Sequence, residues 1–119
     1  WRRVALASVK QSRRAVLPDI RMPLTFETWL ADGHPALTIM LVEPEADAAA
    51  GSLAFLREQP APTDAALVVG PEGGVSSDEL EVFASAGAQV VRLGPTVLRT
   101  STAGTVAAGI VMSRTTRWA

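Results

Sequence analysis

The residues best suited to chemistry in this 119-residue chain gather around one glycine loop, Gly70-Pro71-Glu72-Gly73-Gly74, directly behind the apolar run Ala65 to Val69. Such a loop after a strand invites nucleotide recognition, because glycine bares backbone N–H groups and accepts backbone geometries closed to other residues. Two common forms fail. The chain has no G-x-x-x-x-G-K-[ST] run and a single lysine, Lys10, and its glycines do not fit G-x-G-x-x-G. What remains is a turn whose N–H and C=O groups can hydrogen-bond a purine edge without a charged side chain. The plainer reading is a tight turn feeding a capped helix. Metal and thiol chemistry have little to work with. Cysteine is absent, and the one histidine, His34, precedes Pro35 in a polar turn and is assigned no chemistry.

The elements that must position this loop follow from apolar patterning. A first helix is expected over about Arg3 to Arg14, with Val4, Leu6, Ala7 and Val9 as its apolar side, stopping before Pro18. A short helix, Phe26 to Ala31, follows Pro23 and Thr25 and ends at Asp32-Gly33. Leu37 to Val42 is apolar without alternation, the pattern of a strand buried on both faces of a parallel sheet. Pro44 closes it, and Asp47 to Glu58 reads as a helix with Ala49, Leu53 and Leu56 inward. Ala65 to Val69 is a second buried strand. Ser76 and Glu79 then have capping-box spacing for a helix that ends at Gly87. Gln89 to Leu93 is a third strand, and a last helix is expected to begin near Ser101 or Thr102 and run towards Arg114. Its small residues permit close approach of another backbone, within the domain or across a dimer. Alternating strands and helices imply an α/β domain with a parallel core. Ligands of such sheets sit beyond the carboxyl ends of the strands. Three of those ends here carry Glu43-Pro44, Gly70 to Gly74 and Leu93-Gly94-Pro95, so a pocket lined by three loops is expected.

Composition narrows the class. The chain is 48% hydrophobic and its net charge is −1, which excludes a disordered segment. Charge is nevertheless uneven. Residues 1–22 hold six cations against Asp19, residues 23–81 hold eleven acids against Arg57, and the remainder carries four arginines and no acid. Brought together, the two ends would form a basic face, an electrostatic footprint for phosphate; taken singly, charge runs are usually solvated helix faces. Only six aromatic residues occur, which argues against a base-stacking platform. The longest apolar stretch, Ala103 to Met112, is about half a membrane span. No signal peptide is visible, and the chain opens with Trp1 rather than Met. The expectation is a soluble, cytoplasmic domain from a longer protein.

Two motifs in order carry a family resemblance. Val69-Gly70-Pro71-Glu72-Gly73-Gly74-Val75-Ser76, and then Gly94-Pro95-Thr96-Val97-Leu98-Arg99-Thr100-Ser101-Thr102-Ala103, resemble the RsmE family of 16S ribosomal RNA uridine-N3 methyltransferases. Lys10-Gln11-Ser12-Arg13-Arg14, with Pro18 behind it, resembles that family's Gln-Ser-x-Arg…Pro stretch. Thr96 and Ser101 depart from it, standing where the family often has arginine and glutamate; Ser101 is still a good helix N-cap type. The resemblance implies a SPOUT-type parallel-sheet α/β knot, in which the C-terminal segment threads an earlier loop as a deep trefoil knot, one of the rare knotted folds. It also implies a homodimer, S-adenosylmethionine as cofactor, and 16S rRNA or the small ribosomal subunit as partner, with neither membrane nor metal. An N-terminal PUA-like RNA-binding domain belongs to the family pattern and is not in these residues. Carried over, the cofactor pocket comprises Leu41, Val42, Val69, Gly70, Pro71, Gly73, Gly74, Leu93, Gly94, Val97 and Leu98.

Uridine N3 becomes a good nucleophile only once its proton has left, so a cation near O2 or O4 would stabilise the anion. Arg99 is the first candidate; pinning the fold or pairing with Glu72 is its structural alternative. Glu72 would accept the proton or orient Arg99, or complement the helix that follows. Arg13 and Arg14 are candidates for holding RNA phosphate. The competing functions are a non-catalytic RNA-binding or assembly module on the same scaffold, and a flavodoxin-like ligand-binding domain.

Overall fold

A computed structural model describes residues 1–43 and 50–116. They fall into two compact units, Trp1–Ala31 and Asp32–Ala119.

In the first unit, helix α1 spans Arg2–Gln11 and α2 spans Phe26–Ala31. The expected helix to Arg14 ends early because Arg13 takes a left-handed conformation, φ 54°. The Arg13 N–H then donates to the Lys10 carbonyl at 3.3 Å and the Arg14 N–H to that of Val9 at 3.0 Å. This is the Schellman arrangement, here with arginine where glycine is usual. Arg13 and Arg14 therefore lie beyond the helix. The expected apolar side of α1 buries none of its residues, and Val4 and Leu6 stay 60% and 45% exposed. The start of α2 is held by Thr25, whose Oγ1 accepts from the Thr28 N–H at 3.2 Å.

The second unit is built on a four-stranded sheet of order β2-β4-β1-β3, with β1 Thr38–Leu41, β2 Gly51–Ser52, β3 Ala66–Val69 and β4 Gln89–Arg92. Every pairing is parallel, with Leu41 opposite both Val69 and Val91. Parallel pairing in that register brings the carboxyl ends of β1, β3 and β4 to one edge. Every residue of β1 is buried, as its unbroken apolar run requires. Ile39 and Leu41 join Val91, Leu53 and Leu56 in one core cluster with Ala103, Ala107 and Val111. Thr38 and Met40, alternate along the strand, project to the opposite face and are equally buried.

Helix α3, Ser77–Ser85, buries Leu80 and Phe83. Helix α4, Thr100–Met112, buries Ala103, Ala107 and Val111 at helical spacing. It packs against β3, where a Cβ on Gly104 would come 3.4 Å from Val69 Cγ2. The small residue thus serves close approach within the domain. The helix begins at Thr100, beside the expected start near Ser101 or Thr102. Arg99 is the N-cap residue, and its carbonyl accepts from the N–H groups of Thr102 and Ala103, each at 2.8 Å.

The expected helix over Asp47 to Glu58 is corrected in its described part; residues 44–49, with Pro44, Asp47 and Ala49, lie outside the described residues. Gly51 pairs with Val91 in β2, Ser52 is extended, and a 3₁₀ helix runs from Leu53 to Arg57. Ser52 Oγ caps that turn by accepting from the Ala54 N–H at 3.2 Å. Sheet pairing at a glycine, costly inside a helix by about 1 kcal/mol, overrides the helical period. Leu53 and Leu56 are still buried together, because residues three apart eclipse in a 3₁₀ helix. Arg114 closes the far end, its guanidinium donating to the carbonyls of Leu56 at 3.2 Å and Arg57 at 3.4 Å.

The capping box forms as its spacing predicts. Ser76 Oγ accepts from the Glu79 N–H at 3.3 Å, and Glu79 Oε2 accepts from the Ser76 N–H at 2.9 Å. The Ser76 backbone N–H first, and its hydroxyl second, hold the Glu79 carboxyl below its ordinary range. A depressed native value means that the stabilisation is complete above the ordinary glutamate range and is lost as pH falls through the lowered value. Ser76→Ala should cost about 1 kcal/mol at neutral pH, and its deficit in urea midpoint should shrink on acidification. A deficit independent of pH would show that the Ser76 hydroxyl takes no part in holding the carboxylate.

Candidate ligand cleft at the strand ends

The carboxyl edge of the sheet opens into a cleft. Leu41, Val42 and Glu43 line it from β1, Val69 to Pro71 with Gly74 and Val75 from the turn after β3, and Leu93, Thr96 and Leu98 from the loop after β4. Thr100 and Ala103 complete the wall from α4. Counting the open solvent at its mouth, the empty space there is about 530 Å³. A larger groove of about 1250 Å³ runs along β3 and α4 past Pro62, Leu67 and Met112. Volume does not decide between them. Among the described residues, only the strand-end cleft is walled by three turns that meet at the carboxyl ends of parallel strands, where ligands of such sheets sit.

The turn after β3 is tight. The N–H groups of Gly73 and Gly74 both lie 3.0 Å from the Pro71 carbonyl, and Gly74 has φ 78°, open to glycine at little cost. At Gly70 a Cβ would lie 2.7 Å from Val75 Cγ2, closer than packed atoms allow, so a side chain there must displace the cleft wall. Across the chain, Thr100 Oγ1 donates to the Gly70 carbonyl at 3.1 Å, tying the start of α4 to the glycine turn. Gly94, φ 129°, gives the loop after β4 its sharp departure.

Of the pocket residues expected from the sequence, Leu41, Val42, Val69, Gly70, Pro71, Gly74, Leu93 and Leu98 are brought together here. Gly73, Gly94 and Val97 belong to the same turns but do not line the cleft; Val97 is 54% exposed. Arg99 is exposed and stands between Leu98 and Thr100, both of which do line it. Glu72 is exposed at the tip of the turn. The suggested Glu72–Arg99 pair does not form, since among the described residues the only salt bridge is Arg21–Asp19. The first turn of α3 holds Asp78 and Glu79. Arg13 and Arg14 lie in the other unit. Sequence reasoning gave no role to Val75, Thr100 and Ala103. Glu43 and Thr96 were noticed only by position, although Glu43 is where a strand-end search should look. His34 is held locally, its Nδ1 3.0 Å from Thr38 Oγ1 and 3.2 Å from the Pro35 carbonyl.

The profile of the RNA methyltransferase domain family matches residues 1–112. The chain belongs to that family. It is 40% identical to the ribosomal RNA small subunit methyltransferase E of Mycobacterium bovis over 99% of its length, and 34% identical to that of Synechocystis over 90%. It spans 45% and 35% of those two proteins. Among solved structures, a methyltransferase of Legionella pneumophila with the cofactor SAM bound is similar with TM-score 0.80 at 29% identity, over 95% of this chain and 44% of that one. The ribosomal RNA small subunit methyltransferase E of Neisseria gonorrhoeae, bound to S-adenosyl methionine, is similar with TM-score 0.76 at 27% identity, over 97% and 46%. Among the described residues no helix is long and apolar enough to cross a membrane.

Proposed function

We propose that this chain is the methyl-donor half of an S-adenosylmethionine-dependent methyltransferase acting on N3 of a uridine in the 16S RNA of the small ribosomal subunit, in the cytoplasm. The observation that carries the reading is the strand-end cleft. Its walls are largely aliphatic, three turns meet around it, and a Cβ at Gly70 would push into Val75, which lines it. Those features fit an adenosine, with the ring between aliphatic side chains and its edge on backbone N–H and C=O groups. Relatives solved with the cofactor bound support the fit. When bound, the cofactor supplies an electrophilic methyl group.

The chain's own residues then have three tasks. The turns after β1, β3 and β4 hold the donor in line with the uridine ring, and alignment of that kind carries a large share of such barriers. Arg99 stabilises the negative charge on the uridine oxygens as the N3 proton leaves, with Glu72 as the group that accepts it. Arg13 and Arg14 hold RNA phosphate. We further infer a homodimer and a threaded C-terminal segment. Support for the dimer is the uncharged outer face of α4, where Val106 and Ile110 are 40% and 39% exposed. The relatives are more than twice as long as this chain, and we assign part of the RNA affinity to a PUA-like domain within that additional length.

Calorimetry with S-adenosylmethionine should give about one site per chain, and the full-length protein should methylate small-subunit particles from a strain lacking the enzyme. Donor binding without methylation of those particles would favour the non-catalytic RNA-binding module instead.

Arg13 offers a separate test, because its backbone geometry and its charge can be pulled apart. Arg13→Gly suits the left-handed cap and should hold or raise stability by up to about 1 kcal/mol. Yet it should weaken RNA binding and reduce the slope of log affinity against log salt by about 1. An unchanged salt slope would remove Arg13 from the RNA contact.

A further inference from the structure

The cleft carries one formal charge. Of the side chains lining it among the described residues, only Glu43 is ionisable; the others are aliphatic, glycine, proline or threonine. Glu43 sits two residues beyond the end of β1, at the edge where the three turns converge. Among the described residues no arginine or lysine lines the cleft with it, and it forms no salt bridge. An apolar wall with a single uncompensated carboxylate favours a cation over a neutral ligand of the same shape.

We propose that Glu43 is a specificity-determining residue that makes the cleft prefer the cationic sulfonium of S-adenosylmethionine to the neutral thioether of S-adenosylhomocysteine. The inference rests on reading the cleft as the donor site. The two ligands share the adenosine and amino-acid parts and differ by one methyl group and one positive charge. Contacts from the glycine turns, Leu41 and Leu93 are therefore common to both, whereas the carboxylate acts on the difference. Once the methyl group has gone, the ligand that remains has lost the charge Glu43 favours, and its release is eased. Since Glu43 is exposed, solvent screens it, and the effect is modest.

The test is a pair of calorimetric titrations, with S-adenosylmethionine and with S-adenosylhomocysteine, on the wild type, Glu43→Gln and Glu43→Asp. Glu43→Gln should weaken S-adenosylmethionine about 2- to 5-fold, the size of a screened charge contact, and leave S-adenosylhomocysteine unchanged to within about 1.5-fold. Glu43→Asp, which keeps the charge, should retain most of the preference. In the wild type, raising salt should weaken S-adenosylmethionine more than S-adenosylhomocysteine. An equal loss for both ligands, or no loss for either, overturns the role of Glu43 and leaves the donor site standing. Failure of the wild type to bind either ligand overturns the donor site itself, and this proposal with it.

Discussion

Replacing Arg99 by alanine in the full-length protein should lower methylation turnover by roughly 10²- to 10³-fold, the usual cost of removing a group aimed at developing negative charge. The affinity for S-adenosylmethionine should change by less than about twofold. The expectation is clean because Arg99 holds α4 with its backbone only. Its carbonyl accepts two N–H groups, while its side chain makes no capping hydrogen bond. It pairs with no acid among the described residues. Alanine keeps that carbonyl, so α4 should start where it does now, and an unchanged melting temperature would verify it. Single-turnover kinetics with small-subunit particles would separate the chemical step from binding. Unaltered turnover would take Arg99 out of the reaction and leave Glu72, or a group outside this chain, to handle the uridine.

The second large effect concerns the glycine turn. Gly70→Val should weaken S-adenosylmethionine about 10- to 100-fold, equivalent to about 1.4–2.8 kcal/mol, the range expected when methyl groups are forced into a packed wall. A Cβ at residue 70 would already lie 2.7 Å from Val75 Cγ2, and Val75 itself lines the cleft. The same displacement should strain the Thr100 hydrogen bond to the Gly70 carbonyl, 3.1 Å long. Gly73→Ala is the matched control, since a Cβ there meets nothing within 4 Å. It should bind within about threefold of the wild type. Circular dichroism on both variants would separate a blocked cleft from a lost fold. Equal behaviour of the two would mean that ligand affinity does not depend on the close contact at Gly70.

The legible parts of this molecule are those fixed by local rules or by period. The capping box at Ser76 and Glu79 needs only four residues, and it forms as read. The unbroken apolar run at Leu37 to Val42 marks a strand covered on both sides, and parallel pairing then sets the strand ends together. The cleft follows from that geometry before any family is considered. Less legible was everything decided by contacts distant in sequence. Gly51 and Ser52 leave a helical pattern because β4 offers them a ladder. The tie from Thr100 to Gly70 joins residues 30 apart along the chain, and nothing in either neighbourhood announces it. Arg13 was hidden for a different reason. Arginine has no preference for the left-handed cap, so its place in the turn is visible only from the hydrogen bonds that close α1. Glu72 and Arg99 share motifs that flank one cleft, yet proximity in the fold does not make them a pair.

A crystal structure of the full-length protein with S-adenosylmethionine tests the central claim most directly. The account predicts the adenosine beyond the carboxyl ends of β1, β3 and β4, its ring between the aliphatic side chains of Leu41, Leu93 and Leu98 and its edge hydrogen-bonded to main-chain atoms of the three turns. Density for the ligand in the groove beside Pro62 and Met112, or turns parted so that they no longer meet around it, would contradict it.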